Sequence, residues 1–325
     1  MHESQVAARR IRDAVHEQVS QALVLANPNL VDLLLVSLIC RGHVLLNDVP
    51  GIGKTMLARS LAATLGVSFG RIQFTPDLLP ADITGANYYD QRENEFRFRP
   101  GPVFTHFLLA DEINRATPRT QAALLECMQE STVTIDGLTR RLEQPFMVIA
   151  TQNPVEMEGT FPLPEAQLDR FLMCLELGYP DPEGEAEIIT RFLNREPING
   201  VRAVVDRKQL PVLWDAVSAV ALSEPVKAYV VSLARATRDL DGVRVGVSPR
   251  GTLSLARSAQ ALAALRGRSF VSPEDVQYVA GPVLSHRLVL EHEASLTGQT
   301  TRRIIKTVID EVPVPDVDEG DDGER

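Results

Sequence analysis

HVLLNDVPGIGKT, running from His43 to Thr55, reads as a short apolar strand that empties into a glycine-rich turn and then a helix. His43 to Leu46 supplies the strand. Thr55 to Leu65 is Ala/Leu-rich and reads as helix, closed by Gly66. A turn of this kind is built to hold a phosphate. Its glycines let backbone N–H groups face inward as an anion nest, and the helix N-terminus adds positive potential. Lys54 offers a mobile charge for β- and γ-phosphates, and the Thr55 hydroxyl is a ligand for Mg²⁺. The strict pattern GxxxxGK[ST] asks for glycine at position 48, where this chain has Asp48. Aspartate tolerates left-handed backbone angles, so the turn is expected to survive with the carboxylate pointing away from the phosphates.

Downstream, Phe107 to Glu112 (FLLADE) is an apolar strand ending in two acids, 57 residues from Lys54 to Asp111. Asp111 suits the Mg²⁺ shell, and Glu112 suits polarisation of an attacking water. Asn153 ends the strand FMVIATQN, where its amide can position water or meet a γ-phosphate. Arg170, at the end of a short helical stretch, and Arg250, at a helix start, are cations of the type that stabilises charge on transferring phosphoryl oxygens.

Around these motifs, strands at Gly70–Phe74, Phe107–Ala110 and Phe146–Ala150 alternate with helices such as Arg119–Glu130. This predicts an α/β parallel sheet flanked by helices. Glu3–Leu25 and Leu30–Cys40 read as helices ahead of it. Asp136-Gly137, between Thr132–Ile135 and Leu138–Leu142, signals an inserted hairpin. After Tyr179-Pro180-Asp181-Pro182 strand signals fade and helices dominate, with starts at Ser223, Ser248 and Ser272. The expected organisation is an N-terminal helical segment (1–25), a nucleotide-binding core (26–180) with a hairpin insertion near 131–143, a smaller all-α domain (181–312), and a disordered acidic tail (313–325).

The chain has 325 residues, ample for a sizeable core, and its 44% hydrophobic content excludes a wholly disordered or fibrous protein. Seven of its ten net negative charges fall between Asp310 and Arg325. The nearly neutral body gives no support to a nucleic-acid surface. Cys40, Cys127 and Cys174 show no CxxC spacing and read as buried thiols. The first residues lack a signal peptide's apolar stretch, and Leu33–Cys40 is too short to span a bilayer. A cytoplasmic setting without membrane insertion is the expectation.

GHVLLNDVPGIGKT, FRFRPGPVF, LLADEINRATPRTQAALLECMQE, IATQNPVEMEGTFPLPEAQLDRF and GVSPRGT, in this order from Gly42 to Thr252, together resemble the MoxR ATPases of the AAA+ superfamily. The resemblance implies a AAA+ P-loop fold with a helical lid. It implies ATP and Mg²⁺ as cofactors. Gly51, Gly53, Lys54 and Thr55 would form Walker A, within a nucleotide-contacting stretch of Asp48, Val49, Pro50, Gly51, Ile52, Gly53, Lys54, Thr55 and Met56. Asp111 and Glu112 would form Walker B, with Glu112 the base. Asn153 would be sensor 1, Arg170 an arginine finger reaching the neighbouring subunit's nucleotide, and Arg250 sensor 2, in cis or in trans. The hairpin at Asp136-Gly137 would be the pre-sensor-1 insertion, and Pro76–Pro102 would hold the helix-2 insertion. Many relatives carry Val-Val-Gly-Gln near the adenine, where this chain has LVLANPN (Leu23–Asn29). The resemblance also implies a homo-oligomeric ring, a hexamer, acting as a chaperone on a protein partner of the von Willebrand factor A type. A nucleotide-binding switch or scaffold with little turnover is the alternative. A DNA-linked motor, drawing on Arg140 and Arg141 of the hairpin, ranks below both.

Overall fold

The computed structural model describes residues 3–153, 159–194 and 196–316. Part of the quoted segment after Asn153 and most of the acidic tail therefore lie outside the described residues. Two compact units emerge, Ile11–Leu210 and Pro211–Arg325 together with Met1–Arg10.

The first unit is built on a parallel sheet. Two helices, α1 (Glu3–Ala22, whose first residues belong to the other unit) and α2 (Leu30–Ile39), precede β1 (Val44–Asn47). The phosphate-type turn leads into α3 (Lys54–Thr64), then β2 (Phe69–Gln73) and the short α4 (Pro80–Thr84). A hairpin, β3 (Gly85–Asp90) with β4 (Glu95–Pro100), comes before β5 (Phe107–Asp111) and α5 (Pro118–Glu130). The second hairpin, β6 (Thr132–Ile135) with β7 (Leu138–Arg141), precedes β8 (Met147–Gln152). The unit closes with α6 (Glu165–Leu168), β9 (Met173–Leu175) and α7 (Pro182–Asn194). The sheet order is β2-β5-β8-β1-β9, parallel throughout.

Such a sheet needs strands that are apolar on both faces. Val44, Leu46, Leu108, Leu109, Met147 and Val148 are accordingly shut off from solvent. The register aligns Leu45 with Ala150 and Leu109 with Ile149, so β1, β5 and β8 end at one edge. Polar residues take over there: Asp48 after β1, Asp111 closing β5, and Asn153 after β8. Ligands of open α/β sheets meet this carboxyl edge.

The Pro76–Pro102 insertion contains the β3–β4 hairpin, which the sequence reading left unassigned, and β9 is a further strand. The two hairpins are joined to each other. Asn87 donates to Asp136 (2.7 Å), and the Arg140 guanidinium lies 4.1 Å from the centre of the Phe98 ring. Asp136 and Gly137 both take positive φ, as the two-residue turn requires.

The second unit carries α8 (Leu210–Ser218), α9 (Glu224–Ala236), α10 (Pro249–Leu265), α11 (Pro273–Leu284), α12 (His292–Leu296) and α13 (Thr301–Glu311). It is helical, with one small antiparallel ribbon of β10 (Val243–Val245) and β11 (Val289–Leu290). Its long helices begin where serine and proline place them: Ser223, Ser248 and Ser272 are the N-caps of α9, α10 and α11. The Ser248 hydroxyl accepts from Gly251 N, and Ser272 forms a capping box with Asp275. Asp275, fully buried, also receives the Arg266 and Arg268 guanidiniums.

Candidate active site

The turn after β1 owes its shape to two glycines. Gly51 and Gly53 adopt φ of 89° and 95°, and Gly53 is the N-cap of α3. A Cβ at Gly53 would meet the Leu23 side chain at 3.0 Å. Asp48 does not take a left-handed conformation, so tolerance of such angles is not why aspartate fits here. Its buried carboxylate instead accepts the backbone N–H of Leu177, just beyond β9, which ties the turn to the next strand. The Lys54 ammonium donates to the carbonyls of Asp48 (2.8 Å) and Val49 (3.2 Å). Burial lowers its pKa, while the charges of Asp111, Asp48 and Glu112 act in the opposite sense.

Asp111 and Glu112 are organised by their neighbours. The buried Thr151 hydroxyl donates to Asp111 Oδ1 (2.6 Å) and accepts from Glu112 N (2.8 Å). Glu112 has φ 56° and ψ 51°, a left-handed conformation that costs a side-chain-bearing residue roughly 1–2 kcal/mol. That turn separates the two carboxylates. Arg71 on β2 pairs with Asp111 Oδ2 (2.7 Å), and Gln73 donates to Glu112 Oε2 (2.8 Å), which Arg115 also approaches at 3.1 Å. Arg71, Gln73 and Thr151 are absent from the sequence reading, because only strand register brings them beside the acids.

Asn153 is buried immediately after β8, and the backbone beside it accepts from Asp48 N through Gln152 O. Loop, acids and Asn153 thus share one edge of the sheet. Arg170 is elsewhere. Leu172 N donates to His43 O and Met173 pairs with Val44, so Arg170 stands before β9, at the end of the sheet opposite its own turn. The length of β1, roughly 13 Å, separates the two ends. Among the described residues the Arg170 side chain has no hydrogen bond or ion pair. Arg250 belongs to the helical unit, exposed in the first turn of α10. Of the two hairpin arginines, Arg140 packs on the Phe98 ring and Arg141 is exposed.

Beside the turn opens a cavity of about 510 Å³. Leu23 and Val24 after α1, Ile52 and Met56 from the turn and α3, and Tyr179, Ile188 and Phe192 from the far side form its walls. Arg191 on α7 holds that wall, donating to the carbonyls of Ser20 (2.7 Å) and Gln21 (3.1 Å) at the end of α1. Its apolar faces suit a flat heterocycle next to a phosphate turn. Val24 lies within the LVLANPN segment. Tyr179, Ile188 and Phe192 carry no motif and could not be found by spacing.

A parallel sheet, a phosphate turn after its first strand and paired acids on a neighbouring strand define a P-loop nucleotide-binding unit with a helical companion. The chain matches the family described as "ATPase family associated with various cellular activities (AAA)" over residues 43–173 and the AAA lid domain over residues 235–308. It is 46% identical to the uncharacterized protein YeaC of Bacillus subtilis (92% of this chain, 93% of that one). It is 42% identical to the chaperone MoxR1 of Mycobacterium tuberculosis (91% and 80%). The solved structure of an ATPase candidate from Cytophaga hutchinsonii superimposes with a TM-score of 0.90 at 40% identity, covering 97% of this chain and 98% of that one. The chain belongs to the MoxR family of AAA+ ATPases.

Proposed function

We propose that this chain hydrolyses ATP with Mg²⁺, at a site shared between two copies in a ring, and uses the cycle to remodel a protein partner. The observation that carries the reading is the convergence of the Lys54 turn, Asp111, Glu112 and Asn153 on one sheet edge beside the cavity. The base would lie in the cavity, with Lys54 and the N–H groups of Gly51, Gly53 and Thr55 against the phosphates. Thr55 and Asp111 present a hydroxyl and a carboxylate, the hard oxygen donors Mg²⁺ takes alongside nucleotide phosphates. When bound, Mg²⁺ neutralises charge on the β- and γ-phosphates. Glu112 orients a water and accepts its proton as the water oxygen bonds to the γ-phosphorus and the bond to the ADP oxygen breaks. Asn153 positions that water. Arg170 of the neighbouring copy and Arg250 stabilise the transferring oxygens.

The placement of Arg170 at the far end of its own sheet supports a trans role. A hexamer, and a partner of the von Willebrand factor A type, are proposed on family resemblance. Among the described residues no helix is long and apolar enough to cross a membrane. A second reading, a nucleotide-binding switch with little turnover, draws on Glu112 being held by Gln73 and Arg115.

Glu112→Gln separates the two. ATP should still bind while steady-state hydrolysis falls by roughly 10²-fold or more. Equal turnover in wild type and variant would remove Glu112 from the chemistry, and a wild type without turnover would favour the switch.

A further inference from the structure

The opposite edge of the sheet, where its strands begin, carries a second polar cluster. Ser68 precedes β2, His106 precedes β5, and Glu143 stands shortly ahead of β8. Parallel pairing of Phe69 with Phe107, and of Phe107 with Met147, gathers the three loops. Ser68 Oγ lies 2.6 Å from His106 Nδ1, and His106 Nε2 faces Glu143 Oε2 at 3.5 Å. Arg207 Nη2 pairs with the same carboxylate oxygen at 3.0 Å. Ser68 is exposed, whereas the His106 side chain is nine-tenths buried.

The hydrogen bonds fix where the protons sit. A hydroxyl has two lone pairs and one proton. Ser68 Oγ accepts from Thr105 Oγ1 (3.1 Å) and from His106 N (3.1 Å), which fills both lone pairs. Its own proton is left for His106 Nδ1, toward which Ser68 N also donates (3.4 Å). Nδ1 is thus an acceptor, and the ring proton belongs on Nε2, turned toward Glu143. At 3.5 Å that buried Nε2 makes no hydrogen bond among the described residues. Burial and the charge of Arg207 lower the His106 pKa from 6.5, and Glu143 acts in the opposite sense. The ring is therefore neutral at pH 7 and able to take a proton.

We propose that Ser68 is a nucleophile, activated by His106, that takes acyl groups from small activated esters. A hydroxyl within hydrogen-bond reach of a neutral imidazole, with a carboxylate behind the ring, is the arrangement that activates a serine. Ser68 Oγ bonds to the ester carbonyl carbon as its proton passes to His106 Nδ1. The bond to the leaving oxygen then breaks, and that oxygen or solvent takes the proton from Nδ1. Water reverses the sequence. Its oxygen bonds to the acyl carbon, Nδ1 accepts its proton, and Ser68 Oγ leaves with a proton returned from the ring. The donors at Thr105 Oγ1 and His106 N stabilise negative charge on Ser68 Oγ. Glu143 is a positioning residue that favours the protonated ring. This site is separate from the nucleotide edge and stands independently of the reading given to it.

The test exposes the full chain to p-nitrophenyl acetate and follows acetylation serine by serine, by mass spectrometry of its peptides. Ser20 and Ser218 are exposed serines whose hydroxyls donate to backbone carbonyls, and they serve as internal references. Ser68 should acetylate roughly 10²–10⁴-fold faster than either, the value of a positioned base. His106→Gln should remove most of that advantage. Glu143→Gln should move the pH midpoint of Ser68 acetylation downward, because the carboxylate that raises the His106 pKa is gone. A midpoint that does not fall overturns the role given to Glu143. The comparison among serines is made within wild type, so it does not depend on whether a variant folds. Acetylation of Ser68 no faster than that of Ser20 and Ser218 overturns the proposal, as does a folded His106→Gln protein that acetylates Ser68 at the wild-type rate.

Discussion

The carboxylate of Asp48 occupies the place where the strict phosphate-loop pattern has glycine, and it accepts the buried N–H of Leu177. Removing it strands that donor, which costs about 1–3 kcal/mol. Asp48→Gly, although it restores the common pattern, should therefore lower stability by that amount in urea unfolding without improving ATP affinity. Asp48→Asn, which keeps an acceptor, should lose less. Lys54 makes the opposite case, a residue whose loss should act on ligand more than on fold. Among the described residues its ammonium is held by two carbonyls of the turn. Lys54→Ala should weaken ATP binding by roughly 10- to 100-fold in calorimetry, the value of charge-assisted hydrogen bonds to phosphate. Lys54, Asp111 and Glu112 were legible because each sits at a strand or helix terminus with a motif around it. Thr151, Gln73 and Arg71 were not, since their roles depend on which strand lies next to β5.

At the scale of elements, α1 and α2 are joined by a part-buried ionic cluster around the buried Asp32. Arg12 donates to Asp32 through Nε (2.7 Å) and Nη2 (2.8 Å), and His16 Nε2 lies 2.6 Å from the same carboxylate. Burial pushes the Asp32 carboxyl upward, but the His16 and Arg12 hydrogen bonds and their charges together outweigh it, bringing the pKa from 3.8 to about 2. Because the folded value is the lower one, this contribution is present above pH ~4 and is lost as the pH falls toward 2. It amounts to about 2 kcal/mol. Asp32→Asn should be less stable at neutral pH by about that amount, and its unfolding free energy should change less between pH 4 and 2 than that of wild type. The serine-capped helices and the Asp136-Gly137 hairpin were readable because a cap or tight turn is local chemistry. The β3–β4 hairpin escaped because its turn, Gln91 to Asn94, has no glycine; Asn94 takes the positive φ instead (57°). Three-residue β9 is too short to show a pattern and exists through its pairing with Val44–Leu46.

For the whole molecule, the order of the sheet sets what one copy can do by itself. Strand order brings Lys54, Asp111, Glu112 and Asn153 to one edge, while parallel pairing of β9 with β1 carries Arg170 to the other end. Motif spacing located all five residues, but only the direction of β9 separates Arg170 from its own turn. A finger supplied by another copy is worth roughly 10³–10⁵ in rate in related phosphoryl transfers. The decisive measurement is ATP turnover in a mixture of Arg170→Ala and Glu112→Gln proteins under conditions that allow subunit exchange. Each should be nearly inactive alone. Mixed, they should regain a part of wild-type activity, because some interfaces join an intact Arg170 to an intact Glu112. No recovery after verified exchange, or full turnover by Arg170→Ala in a proven monomer, would contradict a site shared between copies.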